Sequence, residues 1–237
     1  MRFILCLLLM VSSLTYAAQG PSKLKIVQLS DIVYQHTSLS DGDAYGVMAA
    51  NGLIVIVGKQ AYLIDTPWTE ADTNTLIQWV TVKGLTIGGV IVTHFHQDSS
   101  GGLAVLNKLK INTYATTLTN QLLKANNREP ASNEITSETF DLVPGVIQAY
   151  YPGAGHTQDN LVVWLAKSNL LFGGCLVQSF NNRKLLNIED ASIKDWPKSL
   201  QNVMVKYPNI DMVIPGHGQI GDVSLLELTQ QLARKAL

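Results

Sequence analysis

Five histidines occur in this 237-residue chain, and two of them stand in Thr93-His94-Phe95-His96-Gln97-Asp98-Ser99. Imidazole, imidazole and carboxylate at i, i+2 and i+4 can converge just beyond a strand end, where the backbone turns. Three further segments repeat the pattern of an apolar run ending in glycine beside a ligand-type residue. They are Gly155-His156-Thr157, Gly173-Gly174-Cys175 and Pro215-Gly216-His217-Gly218. Divided by hardness, His94, His96 and His156 suit one zinc ion, whereas Asp98, Cys175 and His217 suit a second. Each set has three protein ligands and leaves one position open, the arrangement of a catalytic zinc rather than a structural one.

The segments around these residues predict the elements that must position them. Leu24–Val27 and Ile32–His36 read as short strands, and 47–50, 53–57 and 61–65 continue a β-meander. Thr69, with Asp72 three residues on, predicts a capped helix whose apolar face carries Leu76, Ile77 and Val80. A strand over 87–92 leads into the first ligand segment, followed by a helix to Leu109, a strand over 112–115 and a helix over 117–125. Asn126 to Pro130 is a break. The second half predicts strands near 138–142, 146–151, 161–165 and 170–173, a helix over 192–205, a strand at 212–214 and a helix over 222–235. Two β-then-α halves imply an α/β protein with two facing sheets and helices outside. His36 has no ligand-type neighbour in sequence and is read as structural.

The first 18 residues read as a secretory signal peptide: Arg2, an apolar core over 3–11 too short to span a bilayer, and small residues at Ala17-Ala18. Residues 19–237 are then one domain of two αβ halves, with net charge near −2. No basic stripe for nucleic acid and no polybasic membrane patch is present. Cys6 leaves with the leader, so Cys175 is the single thiol of an exported protein. That means burial or a ligand role, and zinc would keep the thiolate formed and shielded.

Taken in order and spacing, His94-Phe95-His96-Gln97-Asp98, Gly155-His156-Thr157, Gly173-Gly174-Cys175 and Pro215-Gly216-His217-Gly218 resemble the class B metallo-β-lactamases of the three-histidine plus Asp-Cys-His branch. The resemblance covers the whole mature chain, including Ile64-Asp65-Thr66-Pro67-Trp68 and Asp195-Trp196-Pro197-Lys198-Ser199, and is nearest the imipenemase type. It implies a four-layer αβ/βα sandwich with a dizinc site at one edge, a periplasmic monomer without a membrane anchor, and hydrolysis of penicillins, cephalosporins and carbapenems. Water ionised at the metal is the expected nucleophile, since metal binding lowers its pKa to about 7, and no covalent intermediate is needed. Asp98 is expected to orient that nucleophile as well as to bind metal. Asn187 matches the family's loop asparagine, a donor to the developing oxyanion.

Gln178 departs from the family, standing where the imipenemase type usually has a lysine for the substrate carboxylate, and Arg183 in the same loop is a candidate to compensate. Tyr45 on a polar, glycine-bearing loop and Trp68 beside the site are candidate apolar walls for the substrate. Asp65 is expected either to hydrogen-bond a ligand or to cap its loop. Glyoxalase-type thioesterases resemble the same fold but carry His-x-His-x-Asp-His; here Ser99 follows Asp98. A hydrolase of esters or thioesters, and a zinc-storage protein without turnover, are the competing readings.

Overall fold

The computed structural model describes residues 23–42 and 46–237. The expected leader and Tyr45 lie outside the described residues. The first sheet takes its seven strands in chain order: β1 (Lys25–Gln28), β2 (Val33–Leu39), β3 (Ala49–Val57), β4 (Gln60–Ile64), β5 (Thr86–Ile91), β6 (Thr113–Thr116) and β7 (Asn133–Ile135). β1 to β4 pair antiparallel, and β4 to β7 pair parallel. Helices α1 (Glu70–Val82), α2 (Gln97–Ser100), α3 (Leu103–Lys108) and α4 (Thr117–Ala125) lie in the connections between β4 and β7. The second sheet has the order β12-β11-β10-β9-β8, from β8 (Thr139–Val143), β9 (Ile147–Tyr150), β10 (Val162–Leu165), β11 (Leu170–Gly174) and β12 (Met212–Pro215). Helices α5 (Trp196–Lys206) and α6 (Ser224–Lys235) flank β12 in the chain.

Strand periodicity builds the layers. Leu53 and Val55 face one way from β3 and join Val163, Leu165, Leu170, Phe172 and Ile214 of the second sheet in a core between the sheets. Ile54, from the same strand, turns outward onto Leu76 and Val80 of α1. Val162, Leu171 and Val213 likewise turn outward, onto Trp196, Leu200, Leu225 and Leu226 of α5 and α6. Each strand therefore serves two cores, as expected where both faces are covered. Each fully buried Leu, Ile or Phe contributes about 1.5–3 kcal/mol, so this four-layer stack, not local turn propensity, holds the strand ends in place.

The expected α/β sandwich is the observed one, with local differences. The two expected strands over 47–50 and 53–57 form one, because Asn51 and Gly52 continue the ladder with Thr37 and His36. The helix expected after the glycines, up to Leu109, is α3, and the ligand segment adds a further single turn, α2, ahead of Gly101-Gly102. β7 carries only three residues, too short for a periodic signal, and closes the parallel edge. Thr69 does cap α1, accepting from the Asp72 amide at 3.1 Å.

His36 lies buried on β2, its Nε2 donating to the Asp65 carbonyl at 3.3 Å. Burial pushes its pKa from 6.5 down to about 4, outweighing the carbonyls of Asp65 and Ile64 that favour the cation. The neutral ring thus contributes stability that is complete above the unfolded value near 6.5 and is lost as pH falls through about 4. The gap is worth about 3 kcal/mol. Urea unfolding of the metal-free protein at pH 7 and at pH 4 should therefore show a drop smaller by about 3 kcal/mol in His36→Gln than in the parent. Equal drops in the two proteins would assign the acid sensitivity elsewhere.

Candidate metal centre

Strand direction assembles the site. β11 and β12 run parallel, and β9 shares their direction because both it and β11 are antiparallel to β10. The C-terminal ends of β9, β11 and β12 therefore share one edge of the second sheet, and they release the loops that carry His156, Cys175 and His217. From the first sheet, β5 ends at Ile91 and delivers His94, His96 and Asp98. The Leu161 amide donates to the Thr93 carbonyl at 2.8 Å, tying the two edges together.

The three imidazoles of His94, His96 and His156 form a triangle with ring centroids 4.9, 5.1 and 5.2 Å apart. His96 Nδ1 faces His156 Nε2 at 3.1 Å, and buried His94 Nε2 has no hydrogen-bond partner. In the second set, Asp98 Oδ2 lies 3.1 Å from Cys175 Sγ and 3.0 Å from His217 Nε2, while Sγ and Nε2 are 3.4 Å apart. Asp98 Oδ1 lies 3.5 Å from His94 Nε2 and so stands between the sets. Within each of the groups His94/His96/Asp98, His94/His156/Cys175 and Asp98/Cys175/His217, the donor atoms all lie within 4.8 Å of one another. Ligands about 2.0–2.3 Å from a tetrahedral zinc stand at such separations, so the donor sets fit two zinc ions.

Protonation agrees with this. Burial holds the His94 pKa at about 3 and that of His156 well below 6.5, leaving neutral imidazoles with a free lone pair. Burial would raise Asp98, but the charge of His94 and the hydrogen bond and charge of His217 carry it well below the usual carboxylate range. Burial lowers His217 and the Asp98 contact more than reverses it. Cys175 is raised by burial and by the Asp98 charge beside it, so a nearby dication is what would make it a thiolate.

In three of the four rings the other nitrogen is oriented by the fold, whereas the buried His156 Nδ1 has no partner. His217 Nδ1 donates to the Ala49 carbonyl at 2.7 Å, and His96 Nε2 donates to Asp190 Oδ2 at 2.9 Å. His94 Nδ1 meets Thr93 Oγ1 at 3.3 Å, and that hydroxyl donates to Asp65 Oδ2 at 2.8 Å. Asp65 Oδ1 accepts from the Thr93 amide at 2.7 Å and from the Ser99 hydroxyl. Asp65 thus reaches its ligand through Thr93, not directly. Asp65 itself sits at φ 58°, a left-handed conformation that asparagine and aspartate tolerate best. The Asp195-Trp196-Pro197-Lys198-Ser199 segment secures the second sheet's loops: Trp196 Nε1 donates to the Leu176 carbonyl at 2.8 Å and Ser199 Oγ to the Ala154 carbonyl at 2.6 Å. At Gly216 a Cβ would stand 2.5 Å from Cys175 Sγ, which is why the last ligand loop needs glycine there.

The remaining residues singled out in sequence fall around this centre. Trp68 is half-buried, its ring centroid 6.2 Å from that of His217. Arg183 and Asn187 are exposed on the loop after Cys175, with Asn187 at φ 49°. Gln178 is buried, its amide donating to Thr229 Oγ1 at 2.9 Å and its Oε1 accepting from Asn182 Nδ2 at 2.6 Å. Asp190 and Asn51, both engaged with ligand segments, carried no sequence signal, because their partners stand 94 and more than 160 residues away.

A four-layer sandwich with two adjoining three-ligand metal sets at one edge defines a dinuclear metal-dependent hydrolase type of centre. Residues 45–217 match the family model described as the metallo-β-lactamase superfamily. The chain is 43% identical over 235 residues to a type 2 metallo-β-lactamase of Pseudomonas aeruginosa, covering 99% of this chain and 94% of that one. It resembles the crystal structure of VMB-1 with TM-score 0.89 and 53% identity, covering 92% of this chain and 99% of that one. It also resembles the DIM-1 metallo-β-lactamase exposed to ceftazidime, with TM-score 0.89, 44% identity and coverage of 92% and 99%. This chain belongs to the metallo-β-lactamase superfamily.

Replacing Asp65 by alanine removes the acceptor of three hydrogen bonds around Thr93 and Ser99. Asp65→Ala should weaken zinc binding about 10- to 100-fold in chelator competition. Parent-like affinity would show that Asp65 only caps its loop.

Proposed function

We propose that this protein is an exported enzyme that opens the β-lactam ring of penicillins, cephalosporins and carbapenems by zinc-dependent hydrolysis, and so confers antibiotic resistance. The observation that carries this reading is the meeting of a three-imidazole set and an Asp-Cys-His set across Asp98 at one sheet edge. When bound, the two zinc ions supply a Lewis acid for the lactam carbonyl and lower the pKa of coordinated water to about 7, so that no protein side chain need act as nucleophile. His94, His96 and His156 hold one ion, and Asp98, Cys175 and His217 the other.

With Asp98 and Cys175 anionic, two bound zinc ions would leave the centre with a net positive charge, which would attract an anionic substrate. Asp98 keeps its carboxylate low in pKa between the two sets, suited to orienting the attacking water and relaying its proton. Asn187 is the donor to the oxyanion that forms on the carbonyl, from an exposed loop position that leaves its amide free to reach substrate. Trp68, beside His217, walls one side. Ser99 is engaged with Asp65 and Thr93 and is unavailable as the sixth-position ligand that a thioesterase-like site would place there.

All six ligands come from one chain, so a monomer suffices. The leader over residues 1–18 directs export to the periplasm, and no helix among the described residues is long and apolar enough to cross a membrane.

Purified mature protein should hydrolyse imipenem, and a zinc chelator should abolish the turnover. No turnover by a preparation holding two zinc ions would sink the reading and favour thioester hydrolysis or zinc storage. A second expectation concerns the substrate carboxylate. Arg183 is an exposed cation in the loop, next to Lys184, while the buried Gln178 side chain brings no charge. Gln178→Lys should lower KM for carboxylate-bearing lactams about three- to tenfold, the effect of one charge-assisted contact. An unchanged KM would leave that task with Arg183 or the metal centre.

A further inference from the structure

Of the six ligand residues, His217 stands on the loop with least intrinsic reason to hold still. It lies between Gly216 and Gly218, the latter at φ 89°, and its own side chain is one-third exposed. On the second sheet's side the loop backbone is tied by the Gly216 amide to the Gly174 carbonyl at 2.7 Å and, past His217, by the Val213–Gly221 pair at 2.8 and 3.0 Å. The remaining restraint comes from the opposite sheet. β3 runs antiparallel to β4, so its N-terminal end lies at the edge from which the ligands emerge. There the Asn51 amide donates to the Gly216 carbonyl at 2.8 Å. The Asn51 side-chain Nδ2 donates to the carbonyls of Pro215 and Gly218, both at 3.0 Å, on either side of His217.

The carboxamide cannot turn over, because its Oδ1 accepts from Gln35 Nε2 at 2.7 Å and from Thr37 Oγ1 at 3.1 Å on β2. All four hydrogen-bonding positions of this buried amide are therefore used. Two residues earlier, the Ala49 carbonyl accepts from His217 Nδ1, which fixes the tautomer that presents Nε2 to Asp98 and Cys175.

We propose that Asn51 is the positioning residue of the Asp98/Cys175/His217 set: it clamps the His217 loop from the opposite sheet and thereby sets the affinity of the second zinc ion independently of the first. The proposal rests on the two-zinc reading given above. Only donors on Asn51 meet the loop carbonyls, so shape without the amide hydrogens is not enough. Asn51→Asp, nearly identical in size and still able to accept from Gln35 and Thr37, should fail as Asn51→Ala does.

The test is stepwise competition of the purified protein with a chromophoric zinc chelator, which reads the two affinities separately. Loss of a hydrogen-bond partner behind a ligand weakens metal binding about tenfold or more, so Asn51→Ala and Asn51→Asp should weaken the second zinc by that factor and leave the first within about twofold. In the cobalt-substituted variants the Cys175 thiolate-to-cobalt absorption should fall in parallel. Gln35→Met with Thr37→Val, which leaves Asn51 in place with its amide free to turn, should act in the same direction by a smaller factor, and it carries the test if the Asn51 variants do not fold. Two parent-like affinities in whichever variants fold, or equal weakening of both ions, would overturn the clamp alone. A parent protein binding fewer than two zinc ions would overturn the zinc reading and the clamp with it.

Discussion

The structure depends on holding six electron-rich donor atoms at near-contact distances inside a largely buried edge. Two imidazole nitrogens face each other at 3.1 Å, and a carboxylate oxygen lies 3.1 Å from a thiol and 3.0 Å from a histidine nitrogen. Each such contact needs a proton or a metal ion between its two partners, and burial removes the water that would otherwise screen them. The cost is visible in the protonation states: His94 and His156 are held neutral, Asp98 stays ionised through its histidine neighbours, and Cys175 is raised well above its ordinary value. A dinuclear zinc centre turns each of these tensions into a bond.

Rigidity for that arrangement is divided between the two sheets. The first sheet supplies the hydrogen-bonded hub of Asp65, Thr93 and Ser99 beneath His94, and it reaches across through Ala49 and Asn51 to the His217 loop. The second sheet supplies three parallel strand ends and uses α5 as a brace, with Trp196 and Ser199 gripping the loops after Cys175 and before His156. β11 and β12 slip register at Phe172/Gly174, a bulge that re-aims the chain as it enters Cys175. The exposed loop after Cys175 has fewer such restraints than the ligands, which the scaffold fixes.

Much of this was legible in sequence because short-range patterns report local facts. Alternating apolar runs marked most strands, Thr69 and Asp72 marked α1, and glycine beside a ligand-type residue marked three of the four junctions that enter the centre. Ligand chemistry sorted His94, His96 and His156 from Asp98, Cys175 and His217 before any geometry was known. Illegible were the single-turn α2, the three-residue β7, the engagement of buried Gln178 with Asn182, and the roles of Asp190 and Asn51.

By itself, then, the sequence determined which atoms could bind metal, the resemblance that their order and spacing carry, and the existence of two αβ halves. Those properties depend on residue type and on periodicities of two and 3.6 residues. Tertiary structure alone decided which nitrogen of each histidine faces the centre, that Asp65 acts through Thr93, and that a strand some 165 residues earlier holds the His217 loop. Those depend on hydrogen bonds between segments far apart in the chain. Such bonds are fixed by strand direction and by the packing of one sheet on the other, neither of which leaves a periodic trace in sequence.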